Sequence, residues 1–324
     1  MQNPEFLIIG AGISGLLCAT ELQRAGKQVR VIDKGRGCGG RMATRRFGAA
    51  RFDHGAQFFT TREERFHAYI DEWLAAGVIK EWFRHSPEDS NPAGYSRYCG
   101  VDGMTNAPRY LASKLDVELN HRVTELARSG DFWIAMTETG ERFAAEHIVL
   151  TPPLPQSLML LDTCGLNYAG ADLAELREVR YAKGLATLCV LNGPSALPDQ
   201  GFVKPGVPPL AWIADNRKKG ISPEVTAVTI HADAEFAEAH WDSPDTERGP
   251  RMIEAASDWL GSPVADYQCH RWGFTQPLNP WPEKYYTVPG LRLTLAGDSF
   301  GGARVEGAAL SGIEAAEAIL RNVE

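Results

Sequence analysis

A glycine-rich turn near the start of the chain constrains the fold more than any other feature. An apolar run leads into Gly-Ala-Gly-Ile-Ser-Gly at residues 10–15, and a helix is predicted from about residue 13 to residue 25. Gly10 permits the tight turn, Gly12 lets the backbone approach a pyrophosphate, and Gly15 lets the helix pack closely on the strand. The N-terminus of such a helix offers free N–H groups and partial positive charge to a phosphate.

A second strand and an acidic residue complete this pattern. Residues 28–32 are predicted as a strand that ends at Asp33, about 20 residues after the glycines. A carboxylate at this position accepts hydrogen bonds from a ribose diol and repels a 2′-phosphate. The sequence therefore predicts a dinucleotide site, and this pattern by itself does not decide between NAD and FAD.

The segment after Asp33 favours FAD. Four of the six residues 35–40 are glycines, and Arg41 follows them. The acidic residue, the short spacer and Gly39-Gly40-Arg41 resemble the second signature of the glutathione-reductase-type FAD proteins of the amine oxidase branch. That resemblance implies that the glycines let the loop run against the cofactor and that Arg41 lies beside the diphosphate and flavin. The alternative is an ordinary surface arginine, although a solvated loop this rich in glycine costs much chain entropy.

The other half of the predicted site lies near the end of the chain. Residues 291–295 are predicted as a strand that delivers Gly297 and Asp298 to its carboxyl end, where open α/β sheets hold their ligands. The helix predicted from about residue 306 to residue 320 carries small residues at four-residue spacing, which admits close packing. Its dipole, aimed at the pyrimidine end of a flavin, would stabilise negative charge on the reduced ring. A small-residue helix that simply packs on a sheet is equally compatible.

The order of these motifs along the chain resembles that of renalase and its bacterial relatives, from residue 6 to about residue 320. The most specific segments are Gly-Ala-Gln-Phe-Phe-Thr at residues 55–60 and Thr-Pro-Pro-Leu-Pro at residues 151–155. The resemblance implies that the backbone of Val123 contacts the adenine, that Gln57 lies at the flavin ring, and that Asp298 holds the ribityl-pyrophosphate end. Further matching segments are Asp53-His54, Asp102-Gly103-Met104, Arg271-Trp272 and Ser299-Phe300.

The resemblance also implies a reaction. Renalases oxidise the off-pathway dihydronicotinamides, NAD(P) reduced at the 2- or 6-position, to β-NAD(P)+. A hydride passes to the flavin, and oxygen then reoxidises it to give hydrogen peroxide. The expected partners are therefore a small-molecule dinucleotide substrate and O2, with the protein supplying orientation and electrostatics.

Two departures from amine-oxidising relatives support this interpretation. Those enzymes place a tyrosine of an aromatic cage shortly before the Glu-Gly-Ala of the last helix, where this chain has Arg304. An arginine there repels a protonated amine and attracts a phosphate or carboxamide oxygen; the alternatives are a flavin-phosphate contact or a plain surface residue. The chain also lacks the Ser-Gly-Gly-Cys segment that anchors FAD covalently in some relatives, so non-covalent FAD is predicted.

Three residues are predicted to face the substrate: Gln57, Trp272 and Arg304. Trp272 offers a planar surface for a nicotinamide, with burial in a core as the alternative. No catalytic histidine is required, because hydride transfer from an uncharged dihydropyridine needs no proton abstraction. No metal is predicted. The predicted FAD-binding residues are Gly10, Ala11, Gly12, Ile13, Ser14, Gly15, Asp33, Lys34, Gly39, Gly40, Arg41, Ala56, Gln57, Phe58, Val123, Gly297, Asp298, Val305, Gly307 and Ala308.

The predicted fold class is α/β, a Rossmann-like FAD-binding domain with an inserted α+β substrate domain of mixed antiparallel sheet plus helices, in an amine-oxidase-like two-domain architecture. Residues 1–64, 99–160 and 288–324 are predicted to form the discontinuous FAD-binding domain. Residues 65–98 and 161–287 are predicted to form the substrate domain.

The substrate domain is predicted to combine strands and helices. Strands are expected at residues 185–191, 210–214 and 225–231, and helices near residues 234–239 and 251–260. Other predictions concern a core-facing helix with Phe66, Tyr69, Ile70 and Trp73 and a loop over the site at residues 88–94. Arg217-Lys218-Lys219 is predicted as a solvated turn, with contact to an incoming nucleotide phosphate as the alternative.

Composition limits the possible partners. The net charge of −8 argues against nucleic acid or an anionic membrane surface. The six cysteines show no CxxC spacing, which favours reduced thiols in a cytoplasmic protein. No basic leader precedes the first strand and no apolar run approaches 18 residues, so neither a signal peptide nor a membrane span is expected. The oligomeric state is left open.

Three functions remain possible at this point. The first is a flavin oxidase acting on isomeric dihydronicotinamide dinucleotides. The second is an amine oxidase or desaturase on the same fold, which requires a pocket rich in aromatic and poor in cationic side chains. The third is a non-redox binding protein on this fold, which predicts damage to the phosphate-binding glycines; those glycines are intact.

Overall fold

The apolar runs at both ends of the chain meet in one sheet. The computed structural model describes residues 4–84, 94–165 and 171–322. Within these residues the strands are β1 Phe6–Ile9, β2 Val29–Asp33, β3 Thr44–Phe47, β4 Ala50–Asp53, β5 Ile79–Phe83, β6 Arg97–Gly100, β7 Asp116–Leu119, β8 Val123–Ser129, β9 Phe132–Thr137, β10 Arg142–Ala145, β11 His147–Leu150, β12 Gly184–Leu191, β13 Phe202–Val203, β14 Leu210–Asp215, β15 Thr226–Ala232, β16 Val264–Trp272, β17 Tyr286–Thr287 and β18 Leu293–Leu295. The α-helices are α1 Ile13–Arg24, α2 Glu64–Ala75, α3 Asn106–Ala112, α4 Leu154–Asp162, α5 Ala171–Arg177, α6 Ala234–Ala239, α7 Asp245–Ala255, α8 Ser257–Leu260 and α9 Val305–Arg321.

The central sheet has six strands in the order β17-β18-β11-β1-β2-β7. β1 is parallel to both β2 and β11, and Ile9 pairs with Ile32 on one side and Leu150 on the other. All four residues of β1 are buried, as expected for a parallel strand covered on both faces. The carboxyl ends of β1, β2 and β11 therefore lie together, and the glycine turn, Asp33 and Thr151 follow them.

Helices cover one face of this sheet, and a smaller sheet covers part of the other. Phe6 and Ile8 of β1 pack into a core with α1, α2 and α9. Leu7 and Ile9 point to the opposite face and pack with residues of α4, α5 and the three-stranded sheet β10-β9-β8. This alternation follows from the two-residue period of a strand.

The small residues of α9 allow an unusually close helix pair. A Cβ atom added to Gly312 would lie 2.0 Å from the main-chain oxygen of Ser14, so only glycine fits there. The predicted flat face of the last helix is therefore confirmed, and its partner is α1.

The second sheet is antiparallel, with five strands in the order β13-β14-β15-β12-β16. The strands predicted at residues 185–191, 210–214 and 225–231 are β12, β14 and β15, so these predictions are confirmed. The helix predicted at 251–260 is wrong in its bounds, since α7 begins at Asp245 with Pro250 inside it and ends before the separate α8. The first turns of α7 carry charged side chains, so the apolar pattern did not indicate that the helix begins at Asp245.

The structure bears on the remaining local predictions in different ways. Phe66, Tyr69, Ile70 and Trp73 are buried on one face of α2, as predicted. Residues 88–93 of the predicted loop over the site lie outside the described residues. β17 pairs with β18 of the central sheet, although the predicted domain boundary assigned its residues to the substrate domain. The division into two domains otherwise stays a prediction.

Two kinds of feature were not found among the described residues. None of the helices in these ranges combines the length and apolar character that crossing a bilayer requires. In the same part of the chain, no three His, Cys, Asp or Glu side chains gather in a way that could hold a metal ion.

Candidate active site

A large cavity lies between the glycine turn and the five-stranded sheet. Its volume is about 2260 Å³, whereas one drug-sized ligand usually occupies a pocket of about 300–1,000 Å³. The lining runs from Gly12 and Val123 at one end to Trp212 and Trp272 on the five-stranded sheet. The cavity therefore has room for a large cofactor and a second ligand together.

The glycine turn forms one end of the cavity and fits a phosphate group. Gly10 has a φ of +111°, and a Cβ atom on it would meet Thr151 Oγ1 at 2.4 Å. A Cβ on Gly12, in contrast, would meet no protein atom within 4 Å, so space for a ligand lies directly in front of this residue. The Ser14 hydroxyl lines the cavity and is buried without a hydrogen-bond partner, as expected of a group that awaits a ligand oxygen.

Asp33 fixes the loops on either side of the turn. Its Oδ2 accepts a hydrogen bond from the N–H of Ala11 at 2.7 Å, and its Oδ1 accepts one from Gly35 at 2.6 Å. The carboxylate also lines the cavity, where its remaining lone pairs can meet a ribose hydroxyl. A Cβ on Gly15 would lie 2.0 Å from the main-chain oxygen of Gly10, which is the close helix packing predicted for this glycine.

Arg41 and Asp298 join the two halves of the predicted FAD site. The guanidinium binds the carboxylate with both nitrogens, NH1 to Oδ2 at 2.5 Å and NH2 to Oδ1 at 2.6 Å. Tyr181 donates a third hydrogen bond to this carboxylate at 3.0 Å, and NH1 of Arg41 also donates to two main-chain oxygens. Arg41 is 30% exposed and lines the cavity, so it is a paired residue of the site wall and not an ordinary surface charge.

The N-terminus of α9 contributes another part of the wall. Arg304, Val305, Glu306 and Ala308 line the cavity. Glu306 is a residue that sequence analysis missed: its buried Oε1 accepts hydrogen bonds from the backbone N–H groups of Arg62 and Glu63. An acidic residue in the first turn of a helix was the available signal, but its partner is more than 240 residues away in the chain.

Gln57, predicted at the flavin ring, packs against its own turn. Its side chain is buried, with 7% exposed, and it does not line the cavity. Nε2 donates to the main-chain oxygens of Asp53 at 2.6 Å and Gly55 at 3.3 Å, so the amide holds the turn behind the wall. Its Oε1 is buried without a hydrogen-bond partner, and the expected contact of Gln57 with a flavin ring stays a prediction.

The turn at Arg217-Lys218-Lys219 corrects a second prediction. Arg217 and Lys218 are exposed, as expected of a solvated turn. Lys219 is only 2% exposed, and its ammonium lies 2.7 Å from Asp53 Oδ2. The prediction was wrong for Lys219 because three consecutive charges give no sign that one of them has a buried partner 166 residues away.

Trp272 lies in the cavity wall on β16. Its indole N–H donates to the main-chain oxygen of His54 at 2.9 Å, and the ring is half-buried. The ring centres of His54 and His270 lie 4.9 Å and 4.4 Å from it, which makes a small aromatic cluster. Trp272 is therefore held in one orientation at the cavity, and its contact with a nicotinamide stays a prediction.

The histidines around Trp272 are uncharged at neutral pH. Burial lowers the pKa of His54 to about 3, with further contributions from His270 and Arg45. Burial likewise lowers the pKa of His231 and of His270 to about 4. A charged imidazole here would have to leave water and meet the Arg45 guanidinium, so the neutral form is favoured.

These histidines predict a particular loss of stability in acid. An unfolded histidine binds a proton below pH 6.5, whereas His54, His231, His270 and His147, whose pKa burial also lowers to about 4, stay neutral down to about pH 4. The unfolded state therefore binds more protons in this window, and the free energy of unfolding falls as pH drops from 6.5 towards 4. Urea unfolding at steps of pH measures this, with a slope corresponding to up to four protons.

His147 provides the control for that measurement. It lies on β11, away from the cavity, with Nε2 3.0 Å from Thr294 Oγ1. His147→Asn should reduce the slope by about one proton and leave the cavity untouched. A wild-type free energy of unfolding that does not change between pH 6.5 and pH 4.5 contradicts the prediction.

Most residues predicted for the site lie on the cavity wall. The four that do not line it are Ala11, Gly15, Gln57 and Gly307; Gly15 and Gly307 instead pack against backbone, the latter with a Cβ position 2.4 Å from the main-chain oxygen of Gly302. Contact of each residue with FAD or substrate stays a prediction. The residues that line the cavity are Gly10, Gly12, Ile13, Ser14, Asp33, Lys34, Gly39, Gly40, Arg41, Ala56, Phe58, Val123, Trp272, Gly297, Asp298, Arg304, Val305 and Ala308.

The charge of the wall is opposite to that of the protein. The lining includes twelve Lys and Arg residues and four Asp and Glu residues, although the whole chain has a net charge of −8. Such a cleft focuses positive potential inside a negative protein and attracts anionic ligands.

Comparisons with known families agree with this arrangement. Residues 8–73 match a family model described as an NAD(P)-binding Rossmann-like domain, and residues 81–183 match one described as flavin containing amine oxidoreductase. Mouse renalase is 26% identical over 289 residues, which cover 83% of this chain and 84% of that protein. All-trans-retinol 13,14-reductase of Macaca fascicularis is 27% identical over 194 residues, which are 57% of this chain and 31% of that protein.

Solved structures show the same fold. Wild-type putrescine oxidase bound to putrescine superposes with a TM-score of 0.73 at 14% identity, covering 99% of both chains. A triple mutant of the same enzyme gives a TM-score of 0.75, also at 14% identity and 99% of both chains. At this level of identity, the likeness concerns the fold.

Fold and site together define an FAD-dependent oxidoreductase with a Rossmann-like FAD-binding region and an amine-oxidase-like architecture. FAD is its cofactor, and the open space at Gly12 with the unpartnered Ser14 hydroxyl fits that cofactor's diphosphate. Within this class, the chain is similar to renalase over most of its length, and residues 81–183 match the flavin containing amine oxidoreductase model.

Proposed function

We propose that the protein oxidises isomeric dihydronicotinamide dinucleotides, reduced at the 2- or 6-position, to β-NAD(P)+. The observation that carries this proposal is the excess of Lys and Arg over Asp and Glu in the cavity wall. A dinucleotide brings at least two negative charges, which this wall attracts. The similarity to mouse renalase over most of both chains agrees with the proposal.

The same wall disfavours an amine substrate. Arg304 is exposed at the mouth, beside the N-terminus of α9. The guanidinium of Arg97 lies 5.7 Å from the ring centre of Phe58, so a cation already covers one of the aromatic rings of the wall. A protonated amine would have to approach these fixed positive charges, whereas a phosphate gains from them.

The chemistry required of the side chains is modest. The glycine turn, Asp33 and Arg41 would hold FAD, which would supply the hydride acceptor and the route of the electrons to oxygen, with hydrogen peroxide as product. Trp272 supplies a flat surface held by its hydrogen bond to His54, suited to a planar nicotinamide. The neutral histidines beside it repel neither the uncharged dihydropyridine nor the cationic product. The protein thus contributes orientation and electrostatics.

We also propose that FAD is held without a covalent bond. Cys38 lines the cavity, and burial raises the pKa of its thiol. The protonated thiol is a poor nucleophile towards a flavin. A cytoplasmic location belongs to the same proposal, and it comes from the cysteine usage of the sequence.

Anaerobic stopped-flow absorbance tests the proposed substrate. We expect 2- or 6-dihydro-NAD to bleach the flavin within the mixing experiment's time range, and admission of air to restore the yellow spectrum with release of hydrogen peroxide. Ordinary 4-dihydro-NAD and a panel of amines provide the comparison. Bleaching by amines alone would show an amine oxidase, and a flavin that none of these compounds reduces would contradict the proposed substrate class.

A further inference from the structure

A short turn, residues 53–57, forms part of the cavity wall and is here named the wall turn. Its middle residues His54, Gly55 and Ala56 line the cavity. Side chains from or beside the five-stranded sheet bind its backbone: Asn216 Oδ1 accepts from Asp53 N at 3.3 Å, Thr229 Oγ1 donates to Asp53 O at 3.0 Å, and His231 Nε2 lies 3.2 Å from His54 O.

Lys219 joins the two ends of the wall turn. Its ammonium donates to Asp53 Oδ2 at 2.7 Å and to the main-chain oxygen of Gln57 at 2.5 Å. Both side chains of the ion pair are fully buried, and the ammonium also lies 4.5 Å from the ring centre of Trp82. One cation therefore fixes the first and the last residue of the turn at once.

The opposite side of the wall turn is tightly packed. The N–H of Ala56 donates to the main-chain oxygen of Arg41 at 2.9 Å. A Cβ on Gly55 would lie 2.2 Å from that same oxygen and 3.3 Å from the Trp272 ring. The turn is thus clamped between the loop that carries Arg41, at the FAD site, and the sheet that carries Trp272.

A buried ion pair is a poor way to gain stability alone. Removing two charges from water is costly, and well-packed apolar residues of similar volume often stabilise a protein as much or more. Here the ammonium supplies what an apolar side chain lacks, a directed hydrogen bond to the Gln57 main-chain oxygen. Its geometric effect is to hold the wall turn at a fixed position between the FAD site and the five-stranded sheet.

We propose that Lys219 is a positioning residue, which acts through the wall turn to set the separation between the FAD site and the five-stranded sheet. Hydride transfer is sensitive to this separation, since a misplacement of 1 Å can cost about 100-fold in rate. The inference goes beyond the proposed function, because it holds for any hydride donor that binds against this sheet.

A double variant that removes both charges of the ion pair separates an effect of Lys219 on the position of the wall turn from its effect on stability. Asp53 Oδ1 accepts from Thr44 and from Met104 N, while Oδ2 faces only Lys219 among the hydrogen bonds described. Asp53→Asn with Lys219→Met therefore keeps the first two bonds and removes the buried charges together. Lys219→Met alone leaves the Asp53 charge uncompensated. Lys218→Met is the matched control, because this exposed neighbour binds Leu197 O, away from the wall turn.

Three quantities are measured for each variant: the melting temperature, the visible absorption spectrum of the bound flavin, and the rate of flavin reduction per bound flavin. The reductant is whichever dihydronicotinamide or amine reduces the wild type, at a temperature below every unfolding transition. We expect Lys219→Met to melt lower and the double variant to recover most of that loss. In both, reduction should be at least about tenfold slower and the flavin bands should shift, with Lys218→Met unchanged.

A purely structural lysine gives a different result. If the double variant reduces its flavin at the wild-type rate with unshifted bands, the positioning role is wrong. A double variant that folds but no longer retains FAD supports the role, since only the wall turn has been released. The spectrum requires no donor, so a wild type that rejects every dihydronicotinamide contradicts the proposed substrate and leaves this test intact.

Discussion

Gly12→Ala should give a folded protein that is purified without bound flavin. The Cβ of the new alanine meets no protein atom within 4 Å, and the backbone of Gly12 is extended, with a φ of −78°. The fold therefore tolerates the methyl group. The space that it enters is the space predicted for the cofactor diphosphate, so FAD affinity should fall by at least about 100-fold, or roughly 3 kcal/mol. Flavin absorbance per protein and the melting temperature of the apoprotein measure the two effects.

Two other glycines provide the comparison. Gly15→Ala places a Cβ 2.0 Å from the main-chain oxygen of Gly10, so it should lower both flavin content and apoprotein stability. Gly37→Ala, in the exposed part of the next loop, also meets no protein atom within 4 Å; because Gly37 lines the cavity too, its flavin content shows whether the cofactor extends along this loop. A Gly12→Ala protein with a full complement of FAD would show that the diphosphate does not lie against this turn.

Arg41→Met should destabilise the protein by about 2–3 kcal/mol and release the flavin. The change leaves the Asp298 carboxylate, whose side chain is only 8% exposed, without its charge partner. Breaking a buried pair costs about 3–5 kcal/mol, and the expectation is lower here because Arg41 is 30% exposed. Urea unfolding measures the stability, and the absorbance of the purified protein measures the bound flavin.

The control for this variant is an arginine whose acidic partners are exposed. Arg30 lies 2.8 Å from Asp116 and 3.1 Å from Glu118, whose side chains are 52% and 36% exposed, and Arg30→Met should cost less than about 1 kcal/mol. Combining Arg41→Met with Asp298→Asn should recover part of the lost stability, since the isolated charge is removed. Equal losses of unfolding free energy for Arg41→Met and Arg30→Met would show that the buried pair contributes no more to stability than the exposed one.

The part of the site that could be predicted from sequence is the part that depends on local sequence patterns. The glycine turn, α1 and Asp33 lie within about 25 consecutive residues, where spacing alone dictates the geometry. The strands β12, β14 and β15 were likewise evident from apolar runs. These signals need no knowledge of what lies across the molecule.

The remaining features depend on contacts between distant segments. The amide of Gln57 bonds its own turn, a contact that the local sequence does not indicate, and its place at the flavin ring stays a prediction. Lys219 and Glu306 are buried because of partners 166 and more than 240 residues away, and the first-turn position of Glu306 does not by itself indicate burial. A charged residue is usually exposed, so only the tertiary structure reveals the few that are not.

The contact between Gly312 and Ser14 has a consequence for how the protein is made. α1 and α9 touch backbone to backbone, and both helix N-termini border the cavity that takes FAD. A ribosome must add about 290 residues after Gly15 before α9 exists. Until then, the glycine turn lacks the helix against which it is packed. We therefore expect the nascent chain to capture its flavin after α9 has been made and not as the first strands emerge.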